Sequence, residues 1–520
     1  MLKAAIWTAV VSIFATSASL PAAGQTLVVA ATRTPGGVDG DALKPNTQNV
    51  VTQVYEGLVA YAVKPQPDGT SVADFSDIRG HLAESWEVSS GGKSYMFKLR
   101  RGIKSFFGNE LKADDVVWSW QKAFAQKRTG NFIAEVSGVT AVEKTGEYEV
   151  RFTLKAPSGI LLHALTNYVP AIFDITEVKK YATADDPWAI KWIDANTAGF
   201  GAYHLESVRP GEQAVFVANP HYFGPPVHYK RVVYREIPSP SSRYQLLTTG
   251  QVQWVEDLSH RQIAELQKNG KLKIVRSEGT SMASVRMNPK IKPFDDVRVR
   301  RAVALAADRM AINIAVFEGL GSPATSFLPP VIAGHDPSIP AVERDVVGAK
   351  ALLAEAGYPN GVDVTLEYSG IEWWEEAVAI QMQRALADAG VRVALKRITD
   401  ADMRARTAIN KRDVAFFPFR DFPFVLDPVY KLNLDAHQKG ASNRNNYDNP
   451  EFDMLVDAAQ VEADPARRLD LVRQANRLHA DDATWVYIVY PGHFEVMPKC
   501  MTGYVWYPDY HERWKDLVCK

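Results

Sequence analysis

The sequence predicts an α/β protein with more than one lobe. Strand-like and helix-like segments alternate along the chain, with proline and glycine between them. The 520 residues are too many for one compact core, and their length suggests about two to four domains. Apolar residues make up 46% and charged residues 23%, which is ordinary for a soluble globular protein and argues against disorder.

The first half of the chain predicts three strands and two helices. Apolar runs or period-two alternation predict strands at 26–34, 94–100 and 149–154. Apolar residues at helical spacing predict helices at 46–58 and 113–125. No short internal repeat is present in the sequence, so a stacked-repeat architecture is not expected.

The second half carries the clearest periodicity. Apolar positions at helical spacing predict one long amphipathic helix over 294–317. The segment 362–398 alternates as strand, helix and strand, which favours a parallel sheet with helices packed on it. Two extended segments, near 287–293 and at 485–490, are candidates for crossings of the chain between lobes.

The first 24 residues predict a secretory signal peptide. A basic start is followed by the uncharged segment 4–15 and by small residues that end before Gln25. An apolar run of about 12 residues is too short to span ~30 Å of hydrocarbon at about 1.5 Å per residue. We therefore expect cleavage near residue 24 and a mature protein in the periplasm. A lipid anchor is not expected, because no cysteine stands at the cleavage site.

The charge balance and the motifs argue against several classes of function. The 59 basic and 60 acidic residues nearly cancel, so we expect no general attraction to nucleic acid. Gly91 to Ser94 ends like a phosphate-binding loop, but position 87 is glutamate where that motif needs glycine. The pair His511 and Glu512 lacks the second histidine of a metalloprotease helix. We therefore expect no catalytic residues, no metal site and no cofactor.

The two cysteines lie together near the end of the chain. Cys500 and Cys519 are the only cysteines in the sequence, and none stands in the large remaining part. In an oxidising compartment such a pair predicts a disulfide that fixes the C-terminal tail, while two free thiols are the alternative.

Aromatic residues are concentrated in a few segments of the second half. They are Trp373, Trp374, Phe416, Phe417, Phe419, Phe422 and Phe424. Such side chains line pockets that bury organic ligands, and they equally fill protein cores. The sequence leaves both interpretations open.

The segment 81–120 resembles the signature of the family 5 extracellular solute-binding proteins. These are the peptide- and nickel-type receptors of ATP-binding-cassette importers. The blocks 82–86, 95–100 and 113–116 occur in the order and spacing of the family. Further blocks that resemble it are 53–58, 196–210, 293–309, 356–363 and 445–453. The resemblance covers essentially the whole chain after the predicted signal peptide.

The resemblance implies a type II periplasmic-binding-protein fold of two lobes, with an extra subdomain inserted in lobe I. The implied segments are 25–60 (lobe I), 61–195 (inserted subdomain), 196–288 (lobe I), 289–488 (lobe II) and 489–520 (return to lobe I). The two crossings between lobes are expected near 287–292 and 487–492. The ligand is expected between the lobes, which close on it by a hinge motion.

The function that the resemblance implies is ligand capture for an importer. We expect a monomer that binds a small solute and delivers it to the permease subunits in the inner membrane. A short peptide or peptide-like amino compound is the first expectation. A sugar, an opine-like conjugate or a chelated metal is the alternative ligand, and a periplasmic hydrolase or chaperone is the alternative class of protein.

The resemblance also points to binding residues. Peptide-binding members hold the ligand's α-amino group with an aspartate after an aromatic-rich strand, and Asp421 follows such a strand, which includes Phe417. The loop after it is longer than in the family, so Asp427 is an alternative for this role. Arg420 and Arg404 are candidates for a bidentate contact with a ligand carboxylate.

Other candidates lie further from this loop. Tyr55 and Glu56 match the helix that borders the side-chain pocket in the family. Trp373 and Trp374 occupy a loop where family members contact the ligand, and one of the two is expected to be a core residue. Asn443 matches an asparagine at the rim of the pocket.

Overall fold

The computed structural model describes residues 26–519, apart from 43, 45, 168 and 422–424. The predicted signal peptide, Phe422 and Phe424 lie outside the described residues. Within the described part, no helix has the length and apolar character needed to cross a membrane.

The first lobe is built on a five-stranded sheet. Its strands lie in the spatial order Trp254–Val255, Thr26–Ala31, Arg231–Glu236, Gln213–Ala218 and Tyr203–Arg209. The second strand, Thr26–Ala31, is parallel to both of its neighbours, and the strands beyond Arg231–Glu236 pair in antiparallel fashion. Two helices, Pro240–Thr248 and His260–Leu266, belong to this lobe. This sheet positions residues 255–257, directly after its edge strand, at the cleft described below.

An inserted subdomain carries its own core. Its four-stranded antiparallel sheet has the order Ala83–Val88, Ser94–Leu99, Glu149–Leu154 and Val139–Gly146. The helices Ala113–Gln126 and Thr129–Ser137 pack on this sheet. A second sheet joins Val59–Pro65 and Ser71–Gly80 to Val505–Trp506 from the end of the chain. The short helices of this region and of lobe I are Thr47–Val51, Leu161–Leu165, Ile175–Val178, Lys179–Tyr181 and Ile190–Ile193.

The second lobe contains a four-stranded and a two-stranded sheet. The first has the order Ser322–Pro323, Trp485–Tyr490, Ala283–Met287 and Phe416–Arg420. In the second, Val362–Tyr368 is parallel to Val391–Arg397, and Glu375–Ala387 is the helix between them, which confirms the predicted strand–helix–strand unit. The other helices are Val297–Ala306, Arg309–Phe317, Val346–Glu355, Asp400–Thr407, Pro428–Asp435, Pro450–Val461 and Pro465–Asp481.

The chain crosses between the lobes at 278–282 and at 491–492. Leu272–Ser277 pairs with His493–Pro498 on the lobe I side, and Ala283–Met287 pairs with Trp485–Tyr490 on the lobe II side. The second crossing falls within the predicted range. The first lies one strand before the predicted 287–292, so that prediction is wrong. All five residues of Ala283–Met287 are buried in lobe II, so the segment near 287–293 follows the end of a lobe II strand.

The long helix predicted over 294–317 is two helices, Val297–Ala306 and Arg309–Phe317. The chain is extended at the junction, and the carboxylate of Asp308 accepts a hydrogen bond of 2.9 Å from the first turn of the second helix. The break shifts the phase of the apolar face. Met310 and Ile314, two apolar positions of the helical pattern over 294–317, are each 59% exposed. The helix predicted over 46–58 is likewise shorter, at Thr47–Val51.

The predicted disulfide between Cys500 and Cys519 is confirmed, with a Cα–Cα distance of 4.9 Å. It joins the ends of a small antiparallel pair, Met501–Thr502 and Val518–Cys519. The short helix Trp514–Asp516 lies inside the closed loop. The disulfide therefore fixes a segment that includes Tyr510 and Glu512, which line the cleft.

Candidate ligand-binding cleft

A cavity of about 620 Å³ lies between the two lobes. Lobe I lines it from the segments 46–49, 255–258, 492–496 and 510–512, and lobe II lines it with Glu372, Trp373, Arg404 and Arg420. Ser281, in the first crossing, also contributes to the wall. Because both lobes and a crossing form the cavity, its shape depends on the hinge angle between the lobes.

Three carboxylates stand on the lobe I wall: Glu495 is buried, and Glu256 and Glu512 are partly buried. Glu256 accepts hydrogen bonds from the side chain of Asn49 and from the hydroxyl of Tyr234. Glu512 accepts a hydrogen bond of 3.0 Å from the indole nitrogen of Trp254. The donors of these hydrogen bonds are neutral, so they do not compensate a negative charge on Glu256 or Glu512.

Burial and mutual repulsion raise the pKa values of the carboxyl groups on this wall. Burial, followed by the charges of Glu495 and Glu256, raises the pKa of Glu512 to about 8. Burial also raises the pKa of Glu495 well above its ordinary value, and Glu256 adds to that effect. A cation brought to this wall would reverse the effect, because an opposite charge favours the ionised carboxylate.

Two histidines beside these carboxylates are held neutral. The Nε2 atom of His493 lies 2.9 Å from a carboxylate oxygen of Glu495. Burial lowers the pKa of His493 and of His511 to about 4. Neither imidazole therefore supplies a fixed positive charge at pH 7.

The lobe II wall carries positive charge. Arg420 ends the strand Phe416–Arg420, and its Nη2 atom lies 2.9 Å from Oε2 of Glu372. Arg404 lies on the helix Asp400–Thr407, with its Nε atom 2.7 Å from a carboxylate oxygen of Asp400. The structure thus brings the two predicted arginines to one wall of the cavity, opposite the carboxylates of lobe I.

The two adjacent tryptophans have different environments. Trp373 lines the cavity, and its ring centroid lies 5.3 Å from that of His260 in lobe I and 5.7 Å from that of Phe317 in lobe II. Trp374 is fully buried in the core of lobe II. Trp373 is therefore an aromatic contact between the lobes at the edge of the cavity.

The two aspartates predicted to hold an α-amino group are both paired inside the protein. Asp421 accepts a hydrogen bond of 2.8 Å from the backbone N–H of Met282 and forms a buried ion pair with Lys431. Asp427 caps the helix Pro428–Asp435 and lies 2.8 Å from a guanidinium nitrogen of Arg468. Neither aspartate is among the described residues that line the cavity. Their role toward a ligand stays a prediction.

Tyr55 and Glu56 lie in lobe I, outside the described lining of the cavity. The ring of Tyr55 is 1% exposed and packs on Phe173 at a centroid distance of 5.0 Å. Glu56 contacts Nε2 of His81 at 2.9 Å and accepts a hydrogen bond of 3.1 Å from Tyr222. Burial acts to raise the pKa of Glu56, but the charge and the hydrogen bond of His81 outweigh it and lower this pKa to about 2.

Phe417 and Asn443 are buried in lobe II, and the described wall of the cavity includes neither. Phe417 is paired with Arg286 across the sheet. The side chain of Asn443 donates to the carbonyl of Tyr447 at 2.7 Å and accepts from its N–H at 3.0 Å. Asn443 therefore fixes the local backbone fold.

The carboxylate wall was not predicted from the sequence. Glu256, Glu495 and Glu512 come from three separate segments, and only the fold brings them together. Among the described residues, no group of three or more His, Cys, Asp or Glu side chains has an arrangement that could hold a metal ion.

Two lobes joined by two crossings, with a polar cavity between them, define a solute-binding protein. A family model described as bacterial extracellular solute-binding proteins, family 5 (middle) matches residues 77–443. The chain belongs to this family, which confirms the resemblance and the two-lobed fold with its inserted subdomain.

Individual relatives cover most of the chain. A probable D,D-dipeptide-binding periplasmic protein of Escherichia coli (strain K12) is 27% identical over 467 residues, which are 89% of this chain and 88% of the relative. Di/tripeptide-binding protein 2 of Pseudomonas aeruginosa (strain UCBPP-PA14) is 26% identical over 518 residues, with 94% of each chain covered. The solved binding protein MoaA of A. tumefaciens R10, in complex with mannopinic acid, is 25% identical with a TM-score of 0.79, covering 96% of this chain and 100% of that one.

Proposed function

We propose that this protein is the periplasmic receptor of an ATP-binding-cassette importer. It captures a small solute between its two lobes as a monomer, delivers it unchanged to the permease subunits in the inner membrane, and performs no catalysis. The cavity between the lobes is the observation that supports this role, together with membership of the family. Hinge closure around a ligand places polar groups of both lobes on it in a water-poor site.

The proposed ligand is a short peptide or peptide-like amino compound that carries both a cation and a carboxylate. Acidic and basic side chains on different lobes support this choice: Glu256, Glu495 and Glu512 line the cavity from lobe I, and Arg404 and Arg420 line it from lobe II. A cation at the lobe I wall favours the ionised form of its carboxyl groups. An ammonium group would take its negative partner from lobe I, and a carboxylate would take its positive partner from lobe II. The volume of about 620 Å³ lies within the range of about 300–1,000 Å³ that small-ligand pockets occupy.

A second candidate is an opine-like conjugate of an amino acid and a sugar. Two observations favour it. Asp421, the predicted partner of an α-amino group, forms an ion pair with Lys431 instead. Amide and hydroxyl side chains line the cavity at Thr32, Asn46 and Gln48. Such side chains suit a polyhydroxyl group, because they can donate and accept hydrogen bonds. The complex of the relative MoaA with mannopinic acid fits this candidate.

Native mass spectrometry and calorimetry test the proposal. Residues 25–520, purified without denaturation, are expected to retain a small molecule that is lost on activation, and its mass identifies the ligand class. In calorimetry, L-alanyl-L-alanine is expected to bind more tightly than its N-acetyl or C-terminal amide derivative, because each derivative loses one charge.

The possible results separate the candidates. Binding of mannopinic acid but not of the dipeptide would favour the second candidate. Equal binding of all three dipeptide forms would contradict recognition by two charged walls. Conversion of a bound compound into a product would contradict the receptor role.

A further inference from the structure

A carboxylate of the protein already occupies the guanidinium group of Arg420 in the cleft. Oε2 of Glu372 lies 2.9 Å from Nη2 of Arg420, and both residues line the cavity. A ligand carboxylate that binds Arg420 would need the same position. We propose that Glu372 is an internal stand-in for the ligand's carboxylate, which displaces it, and that Glu372 thereby sets the selectivity of the site. This inference rests on the proposed function, because it takes the interlobe cavity as the ligand site.

The two partners differ in how firmly they are held. Arg420 belongs to a strand that pairs with Ala283, and its side chain is 17% exposed. Glu372 lies in the loop between a strand and the helix Glu375–Ala387, and its side chain is 37% exposed. The arginine is therefore the fixed partner, and the glutamate is the partner that can leave.

The loop allows this movement without unfolding. Glu375 holds the base of the loop, because its carboxylate accepts hydrogen bonds from the backbone N–H groups of Ser369 at 3.1 Å and of Gly370 at 2.6 Å. Between these residues and the helix, Ile371 is 55% exposed. Glu372 therefore lies beyond the anchored base, where a side-chain rotation suffices to release Arg420.

Exchange of one carboxylate for another keeps Arg420 paired throughout. Arg420 is only partly buried, but loss of its contact with Glu372 still has a cost unless another carboxylate replaces it, and an uncharged ligand provides no such replacement. A ligand with a carboxylate can displace Glu372. The site therefore discriminates against neutral analogues, because they leave Glu372 in place. The ligand gains only the difference between its own contact with Arg420 and that of Glu372, which moderates the affinity.

Chemical rescue tests the inference without knowledge of the natural ligand. In the variant Glu372→Ala, propionate is expected to bind Arg420 and to raise the melting temperature saturably, by about 1–2 °C. The wild type and the double variant Glu372→Ala/Arg420→Met are expected not to respond. Glu376→Ala is the matched control, because Glu376 is an exposed carboxylate nearby that accepts a hydrogen bond from Tyr368 and is not part of the described cavity wall. Equal responses in all four proteins, or none in Glu372→Ala, would overturn the proposal.

The isosteric variant Glu372→Gln gives a second measurement. Its affinity for L-alanyl-L-alanine is expected to be about threefold higher than that of the wild type, the size typical of a partly exposed ion pair. A lower affinity would overturn the proposal, because it would make Glu372 a direct ligand contact. If the wild type binds no dipeptide, that result counts against the proposed ligand class, while the propionate experiment still decides the role of Glu372.

Discussion

Replacement of Asp421 by asparagine separates a role in stability from a role in ligand binding. The carboxylate of Asp421 is buried, accepts a hydrogen bond of 2.8 Å from Met282 in the first crossing, and pairs with Lys431, whose side chain is 1% exposed. Removal of one partner of a buried ion pair typically costs about 3–5 kcal/mol. Asp435, at 3.6 Å from Nζ of Lys431, remains as a second partner. We therefore expect the free energy of unfolding to fall by about 3 kcal/mol, at the low end of that range.

A double-mutant cycle assigns this loss to the pair. The variants Asp421→Asn, Lys431→Met and their combination are compared by urea unfolding followed by circular dichroism. Because the two single variants each remove one side of the same contact, the loss of the double variant should be smaller than the sum of the single losses by on the order of 2 kcal/mol. Asp457→Asn is the control, because Asp457 is also on lobe II but its side chain is 66% exposed.

One pattern of results would refute this reasoning. If Asp421→Asn unfolds like the wild type but no longer binds the dipeptide, Asp421 holds the ligand's amino group, as the family resemblance implies. If it is destabilised while the folded protein binds with unchanged affinity, the charge of Asp421 serves the contact with Lys431 and Met282.

Three further predictions concern the cleft and the tail. The pKa of Glu512 is raised to about 8 in the folded protein, so the unfolded chain loses this proton first and stability falls as pH rises from about 4.5 to about 8. Glu512→Gln should flatten the melting temperature against pH over that window, and an unchanged slope would contradict the assignment. Trp373→Phe should abolish most of the fluorescence change on ligand binding, whereas Trp374→Phe should retain it. The reverse result would contradict the assignment of Trp373 to the ligand site. Cys500→Ser/Cys519→Ser should lower the free energy of unfolding by about 3 kcal/mol, and reductant should then have no effect on that variant while it destabilises the wild type.

The sequence predicted the elements that local patterns determine. The unit 362–398 follows from alternation and helical spacing within one continuous segment, so its parallel pairing was predictable. The prediction of one helix over 294–317 is wrong at Asp308. The side chain of Asp308 caps a second helix there, although the apolar pattern of the sequence continues past it. The first crossing was misplaced for a related reason: a buried strand of lobe II has the same apolar composition as one of lobe I.

Residues of the site were predictable only where a short segment of the sequence is itself distinctive. Trp373 and Arg420 stand in segments that composition and family resemblance both mark, and both line the cavity. Glu495 and Glu512 are ordinary acidic residues in the sequence, and their significance arises from burial beside each other. Similarly, Asp421 looks like a ligand anchor until the fold places Lys431 against it.

Under the proposed function, the acidic side chains of lobe I and the basic side chains of lobe II link ligand recognition to closure. A ligand with only an ammonium group finds its partners on lobe I, and one with only a carboxylate finds them on lobe II, so neither draws the lobes together by charge. A ligand with both groups contacts both walls only when the hinge is closed, where Trp373 of lobe II also meets His260 of lobe I. Because Glu372 already pairs with Arg420, closure does not require a ligand carboxylate for this contact. A ligand carboxylate that replaces Glu372 contributes only the difference in free energy between the two contacts with Arg420. Such an arrangement favours selective but reversible capture, which a receptor needs because it must release its ligand to a permease.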